Sequence, residues 1–191
     1  MNLEKPSRMI IEITDKCNLN CIHCFANKKD NDLNYSEWIN IIQKSIDEGI
    51  SSISITGGEP LLYPSFFDIF NNINPKDTKI TLDTNGTFIT DKNIKDLSKN
   101  FKLIRVSIYG YTDEDCLKIT KNKLFRYRTV INTIKLLSEN NVKIQVNIPL
   151  FEENIKFLDQ IIDDLVKFNI YEIVLIPILN IGKAKNMKNL T

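Results

Sequence analysis

The feature that most constrains the fold is an alternation of short apolar segments with amphipathic ones. The apolar segments are rich in isoleucine and valine, as buried strands are, and occupy residues 8–14, 51–56, 78–84, 102–108, 142–150 and 171–178. The amphipathic stretches have helical spacing and lie near residues 36–48, 65–73, 91–99, 127–140 and 154–168. Ser36 and Asp91 are predicted N-caps, and Gly49 is predicted to end the first helix. Strands that alternate with helices predict parallel βαβ units and an α/β fold.

The length and charge narrow the class of protein. The chain has 191 residues, of which 42% are hydrophobic, and this predicts a single domain over residues 1–191 with a frayed or truncated end from about residue 183. The formal net charge is +1, which argues against a nucleic-acid partner. No apolar run is long enough to cross a membrane, and the N-terminus lacks the apolar stretch of a signal peptide. A cytoplasmic protein without membrane contacts is therefore predicted.

The glycines indicate which edge of the predicted sheet is functional. Five of the six glycines come directly after predicted strands: Gly57, Gly58, Gly86, Gly110 and Gly182. Glycine permits a close approach of the backbone to a ligand or to another loop. In parallel α/β folds, ligands bind at the carboxyl ends of the strands. We therefore expect a binding site at that edge.

Three of the four cysteines follow the first predicted strand, within the segment "CNLNCIHC" at residues 17–24. Their positions, Cys17, Cys21 and Cys24, also match one face of a helix, but Asn18 and Asn20 favour turns over a helix interior. In a reducing compartment, clustered cysteines bind metal or react more often than they form disulfides. The segment is therefore predicted to be a loop that directs three thiolates toward one metal centre.

The kind of metal centre is not fixed by the spacing alone. A zinc site would need His23 or Cys116 as a fourth ligand, whereas structural zinc sites usually take paired ligands from two separate segments. Three thiolates without a fourth suit a [4Fe–4S] cluster in which one iron is left open. Cys116 is then predicted to be an ordinary packed cysteine.

At this point the sequence resembles the radical S-adenosylmethionine (radical SAM) enzymes. The resemblance rests on the CxxxCxxC spacing of "CNLNCIHC", on "GGEP" at 57–60, on "TNG" at 84–86, on "VSIYG" at 106–110 and on the "IPILNIGKA" ending. It covers nearly the whole chain, from about Met9 to Lys185. It implies a partial (β/α)6 TIM-like barrel, in agreement with the six strands found independently.

The resemblance also implies roles for individual residues. Cys17, Cys21 and Cys24 would each bind one iron of the cluster, and the methionine part of S-adenosylmethionine (SAM) would chelate the fourth iron. The residues implied to contact SAM are His23, Gly57, Gly58, Glu59, Pro60, Asn85, Ser107 and Asn147. His23 would lie near the adenine or ribose, and the Glu59 carboxylate would face the amino group of SAM.

The activity implied is reductive cleavage of SAM to methionine and a 5′-deoxyadenosyl radical, which removes hydrogen from a substrate. A mostly apolar barrel interior is expected, since it would protect such a radical. The pattern is closest to enzymes of peptide or cofactor maturation, which implies a peptide or small-molecule substrate and an electron donor such as a flavodoxin or ferredoxin. Two alternatives stay open: an activating enzyme for a glycyl-radical protein, and a non-catalytic module that binds zinc or a cluster.

Overall fold

The computed structural model describes residues 6–26 and 32–186. The six strands are β1 Arg8–Glu12, β2 Ser52–Thr56, β3 Lys79–Thr84, β4 Leu103–Ser107, β5 Ile144–Leu150 and β6 Glu172–Pro177. The helices are α1 Tyr35–Asp47, α2 Phe66–Asn71, α3 Ile94–Asn100, α4 Asp113–Thr120, α5 Tyr127–Glu139, α6 Glu152–Ile155 and α7 Leu158–Leu165. Short 3₁₀ helices occupy Pro60–Leu62 and Gly182–Asn186. The α/β fold is confirmed, and each predicted strand is present to within two residues at either end.

All six strands are parallel and form one sheet in the order β1-β2-β3-β4-β5-β6. Each strand therefore pairs with its neighbour in the sequence, and the intervening helices return the chain across the same face. Among the described residues, β1 and β6 do not pair with each other. The barrel is consequently partial, as predicted.

The two faces of the sheet differ in polarity. One face carries the apolar positions, such as Ile53, Leu82, Ile104 and Val146, which are all completely buried beneath the helices. The opposite, concave face carries side chains that include Ser54, Thr81, Asp83, Arg105 and Gln145, and these are bonded to one another. The expectation of a mostly apolar barrel interior is therefore wrong for the inward positions of these strands, because the period of two along each strand directs the polar positions inward. It holds at the strand ends, where the cavity described below is lined mostly by apolar side chains.

The helix boundaries correct two sequence predictions and confirm a third. Asn34 caps α1 in place of Ser36, and its side chain accepts from Glu37 N while Glu37 Oε2 accepts from Asn34 N. Asn93 precedes α3 in place of Asp91. Gly49 follows the end of α1 as predicted, with its N–H donating to Ile46 O.

Helix α4 has no counterpart among the predicted helices, because its eight residues show only a short apolar pattern. Its N-terminus carries a capping box in which Thr112 and Asp115 exchange hydrogen bonds. The single helix predicted near 154–168 is divided into α6 and α7. The first of these is anchored by Asn154, whose side chain donates to the carbonyls of Tyr109 and Pro149.

Part of the predicted tail has regular structure. Residues 183–186 lie within a 3₁₀ helix, and Ala184 is completely buried, so these residues do not match the expectation of fraying from about residue 183. The rest of that expected tail, residues 187–191, lies outside the described residues. Within residues 6–26 and 32–186, no helix is long and apolar enough to cross a membrane.

Candidate cofactor site at the strand ends

A cavity of about 390 Å³ lies at the carboxyl ends of the strands. The predicted site residues on its wall are Cys17, Cys21, His23, Cys24, Gly57, Gly58, Asn85, Ser107 and Asn147. The structure therefore brings most of the predicted set to one place. Glu59 and Pro60 are not on the wall, although they belong to the same loop as Gly57 and Gly58.

The segment from Cys17 to Cys24, the cysteine loop, has no regular secondary structure, as predicted. Its backbone is held by α4: Asn20 N donates to Thr120 O and Ile22 N donates to Ile119 O, each at 2.9 Å. These bonds satisfy carbonyls that are left without a helical partner at the C-terminus of a helix. The unpredicted helix α4 is therefore one of the supports of the site.

A closed group of side chains ties the cysteine loop to the loop after β3. Asn85 Nδ2 donates to Asn18 Oδ1 at 2.8 Å, and Asn18 Nδ2 donates to Thr87 Oγ1 at 3.0 Å. Thr87 completes the ring by donating its hydroxyl to Asn85 Oδ1 at 2.6 Å. Asn85 was predicted to bond SAM, and in the structure both ends of its amide are bonded within the protein.

The "GGEP" loop presses against the start of the cysteine loop. Gly58 N donates to Thr14 O and Glu59 N donates to Lys16 O, each at 2.7 Å. A Cβ atom placed on Gly58 would lie 2.2 Å from Lys16 O. A side chain at this position would therefore collide with the backbone immediately before Cys17, and the second glycine is required for loop-to-loop contact.

Glu59 is turned into the protein. Its side chain is completely buried and accepts from Thr84 Oγ1 at 2.7 Å and from Asn85 N at 2.8 Å. Burial raises the pKa of this carboxyl to about 7, against the hydrogen bonds that lower it. In this orientation Glu59 connects the ends of β2 and β3, and its contact with the amino group of SAM stays a prediction.

His23 lies in the wall of the cavity against aromatic rings. Its ring centroid is 5.4 Å from that of Tyr109 and 5.1 Å from that of Phe151. Burial lowers the pKa of the imidazole to about 4. Its Nδ1 atom is buried with no hydrogen-bond partner among the described residues, so this ring can offer a flat apolar surface and one polar atom to a ligand.

All four cysteines are thiols. Burial, followed by the proximity of Cys17 and Cys24, raises the pKa of Cys21 to about 12. Cys116 is buried in α4, with its Sγ 3.5 Å from Gly110 O, and it does not line the cavity. It is therefore the packed cysteine that was predicted.

The described residues contain no group of three or more His, Cys, Asp or Glu side chains that could hold one metal ion. A [4Fe–4S] cluster needs a different arrangement of ligands, because each of its cysteines binds a separate iron. The three thiols on the wall of one cavity fit this arrangement.

The segment after β6, which we call the β6 extension (residues 181–185), closes the cysteine loop from the other side. Lys183 N donates to Cys24 O at 3.0 Å, and its ammonium group contacts the side-chain oxygen of Asn20. Gly182 has a φ of +55°, and a Cβ atom there would lie 2.6 Å from Cys24 O. The backbones of the two segments are therefore in direct contact.

Sequence reasoning missed several residues of the cavity wall. They are Leu19, Phe25, Ala26, Thr56, Asp83, Thr84, Tyr109, Pro149 and, from β6 onward, Ile176, Pro177, Ile178, Leu179 and Ile181. The signal for Asp83 was its place one residue before the end of β3, where alternate positions face the concave side. Tyr109 lies within the "VSIYG" segment quoted above, but no role was predicted for it.

Comparison with known proteins identifies the family. Residues 11–165 match the Radical SAM superfamily. The chain belongs to this superfamily. The match includes the cysteine loop, the "GGEP" loop and strands β2 to β5, so the fold and the cavity described above are those of a radical SAM protein. Members of the superfamily are enzymes that use a [4Fe–4S] cluster and SAM.

Radical SAM relatives of known name differ in what they act on. The GTP 3′,8-cyclase of Clostridium perfringens (strain SM101 / Type A) is 32% identical over 193 residues, which cover 95% of this chain and 58% of the cyclase. The sporulation killing factor maturation protein SkfB of Bacillus subtilis (strain 168) is 26% identical, with coverage of 94% of this chain and 44% of SkfB. The chain thus spans less than two thirds of these curated relatives.

Solved structures show the same architecture. Streptococcus suis SuiB bound to its precursor peptide SuiA superposes with a TM-score of 0.85 at 21% identity, over 97% of this chain and 42% of SuiB. At this level of identity the likeness concerns the fold. The structure of SuiB bound to SAM gives a TM-score of 0.78 over 89% of this chain.

The residues present fit the two cofactors of the superfamily. Three thiols share the wall of one cavity, and thiolates are the usual ligands of iron–sulfur clusters. The unpartnered Nδ1 of His23 is a buried polar atom that a ligand would satisfy.

Proposed function

We propose that the chain is a radical SAM enzyme of peptide or cofactor maturation, with the cluster held by Cys17, Cys21 and Cys24. The observation that carries this proposal is the convergence of these three thiols on one cavity beside Gly57 and Gly58. When bound, the cluster and SAM supply a 5′-deoxyadenosyl radical that takes hydrogen from the substrate. The protein supplies binding, orientation and exclusion of competing reactions.

The chain's own residues would have two roles: some hold the cysteine loop in place, and others line the site where SAM would bind. The cysteine loop is fixed by α4, by the ring of Asn18, Asn85 and Thr87, and by the "GGEP" loop. This rigidity favours a constant geometry of the thiols, which is what positioning for catalysis requires. Gly57, His23, Ser107 and Asn147 lie on the wall where SAM would be held, and Glu59 and Pro60 would act from behind it by supporting the loop.

The substrate class is part of the proposal. SkfB is named as a maturation protein for the sporulation killing factor, AlbA of Bacillus subtilis is named as a biosynthesis protein for the bacteriocin subtilosin, and SuiB was solved with a precursor peptide. The GTP 3′,8-cyclases support a small-molecule substrate instead. We also propose a cytoplasmic location and a flavodoxin or ferredoxin as electron donor, since reduced thiols and a reducible cluster need a reducing environment.

Iron and sulfide analysis of anaerobically reconstituted protein tests the metal site. We expect about four irons per chain from the cluster type, and loss of nearly all of them in Cys17→Ala, Cys21→Ala and Cys24→Ala. Cys116→Ala is the matched control, because its sulfur is buried away from the cavity, and it should keep the cluster.

Stoichiometric zinc without iron–sulfur absorbance would contradict the enzyme proposal and favour a zinc-binding module. Equal loss of iron in Cys116→Ala would mean that all four irons carry cysteine, which contradicts an open iron for SAM. With the cluster in place, formation of 5′-deoxyadenosine from SAM under dithionite is the expected activity.

A further inference from the structure

The concave face of the sheet carries a connected polar group beneath the cavity. Arg105 Nη1 lies within hydrogen-bond distance of Ser54 Oγ at 3.0 Å, of Thr81 Oγ1 at 3.2 Å and of Asp83 Oδ2 at 3.2 Å, and its two N–H groups are shared among them. Arg105 Nε also donates to Gln145 Oε1 at 3.3 Å. One guanidinium therefore links four strands, from β2 to β5.

Asp83 is the member of this group that reaches the cavity. It lines the wall, whereas Arg105 does not. Among the described residues on the wall, Asp83 is the one carboxylate, and no lysine or arginine accompanies it. A carboxylate has about four acceptor positions, and the contacts with Arg105 Nη1 occupy one side of it.

The strand register places Asp83 deeper than the residues expected around SAM. Asp83 is opposite Arg105, while Ser107 is opposite Asn147 one layer nearer the strand ends. Successive layers on one face are about 7 Å apart, since they differ by two residues. The cysteine loop lies beyond the strand ends. A ligand bound at the thiols would therefore lie above Asp83, and a second molecule bound deeper in the barrel would face this carboxylate.

Burial and Arg105 shift the pKa of Asp83 in opposite directions. Burial raises the pKa of its carboxyl, and the charge and hydrogen bonds of Arg105 lower it. The side chain retains 29% exposure, and that exposure is what a ligand could cover. A carboxylate fixed on one side by an arginine is a positioned acceptor for a donor that approaches from the other side.

We propose that Asp83, positioned by Arg105, binds an ammonium or N–H group of the substrate beside the carbon from which hydrogen is removed. This inference rests on the proposed function and assigns a specificity residue within it. The substrate is then cationic or rich in N–H donors at the reacting position. An anionic group at that position would meet a like charge at short range, which is unfavourable.

Two deuterated peptides test the charge preference directly. The probes are acetylated and amidated Gly-Gly-X-Gly-Gly, in which X is perdeuterated lysine or perdeuterated glutamate. In reduced holoprotein, one electron from dithionite cleaves the S–C5′ bond of SAM and releases methionine. The 5′ carbon then takes one deuterium atom from the probe, and the carbon radical left on the probe is reduced by one electron from dithionite and one proton from water.

The measured quantity is the deuterated fraction of 5′-deoxyadenosine, by mass spectrometry. For wild type we expect this fraction to be about fivefold or more higher with the lysine probe, as a charge-assisted contact would give. Asp83→Asn, of equal size, should bring the two probes near parity. Arg105→Gln should weaken the preference, and Arg105→Lys should restore part of it.

Asp91→Asn is the matched control, because Asp91 is exposed and does not line the cavity; it should keep the wild-type preference. Equal fractions for the two probes in wild type, or an undiminished preference in Asp83→Asn, would overturn the inference. Should Asp83→Asn fail to hold the cluster, Asp83→Ser provides a second neutral variant.

Equilibrium binding of SAM to the same variants separates the two ligands. A tenfold loss of SAM affinity in Asp83→Asn would assign the carboxylate to SAM and overturn its assignment to the substrate. Absence of any 5′-deoxyadenosine from wild type that holds cluster and SAM would instead overturn the proposed function, together with this inference. Production of 5′-deoxyadenosine without a charge preference would overturn the inference alone.

Discussion

Two segments contact opposite ends of the cysteine loop, and in each of them a glycine allows the close approach of the backbones. Gly58 brings the "GGEP" loop against Lys16, and Gly182 brings the β6 extension against Cys24. The first segment continues into Glu59, which is completely buried and bonded to β3. The second continues into Lys183, which is exposed.

Both segments make close backbone contact, but the first is continued by a buried residue and the second by an exposed one. We therefore expect burial, and not backbone contact alone, to decide how strongly each segment is held. Three strand ends converge on Glu59 and its neighbours, so this side of the cysteine loop is part of the core. The β6 extension follows an edge strand, and apart from the buried Ala184 its residues are exposed. We therefore expect changes on the "GGEP" side to affect folding and cluster together, and changes on the β6 side to affect the cluster more than folding.

Gly58→Ala is expected to have the largest effect. Its Cβ would lie 2.2 Å from Lys16 O and 2.8 Å from Asp15 O, so the two backbones must separate. Overpacking of this kind costs about 3 kcal/mol of unfolding free energy, and we expect most of the cluster to be lost. Urea unfolding and iron content measure the two effects.

Gly49→Ala is the control for this substitution. Gly49 has a φ of +90°, but no atom lies within 4 Å of the position that a methyl group would take there, so the variant tests backbone strain without collision. We expect it to cost about 1 kcal/mol and to retain the cluster. Equal behaviour of the two variants would show that contact between the loops is unimportant.

The raised pKa of Glu59 predicts that the unfolding free energy depends on pH, and this effect is of intermediate size. Its folded pKa of about 7 lies above the unfolded value of 4.5, so the folded state binds the proton more tightly. The resulting stabilisation is complete below pH 4.5 and is lost as the pH rises through 7. The shift corresponds to about 3 kcal/mol at most.

The measurement is the unfolding free energy of the apoprotein between about pH 5 and pH 8, the range in which this carboxyl changes its charge, for wild type and Glu59→Gln. The difference between the two proteins isolates this carboxyl from other titrating groups. We expect wild type to lose more stability than the variant as the pH rises. Parallel curves for the two proteins would show that Glu59 does not titrate in this range.

Gly182→Ala is expected to cost less stability than Gly58→Ala. The methyl group would lie 2.5 Å from Phe25 Cα and 2.6 Å from Cys24 O, and the φ of +55° adds backbone strain, but most of the β6 extension is exposed. We expect a change of about 1–2 kcal/mol in unfolding free energy, together with a severalfold faster loss of cluster absorbance to a chelator. Unchanged cluster loss would mean that this segment does not protect the site.

The residue pattern alone predicted the strands, their parallel pairing and the edge at which the site lies. Isoleucine-rich segments that alternate with amphipathic helices favour a buried parallel sheet, and parallel strands place all their carboxyl ends together. The order of the strands in a partial barrel was implied by the family resemblance. The cysteine spacing predicted a metal centre for a related reason, since metal ligation depends on a few residue types at short separations along the chain.

Only the tertiary structure decided which of these residues bond to one another and which face the cavity. Glu59 and Asn85 have the right chemistry for a ligand, but in the structure they bond to Thr84, Asn18 and Thr87. Asp83 and Arg105 are 22 residues apart and meet only because β3 and β4 are in register. A residue's type gives what it can bond to, and packing across distant segments decides which of those bonds are formed.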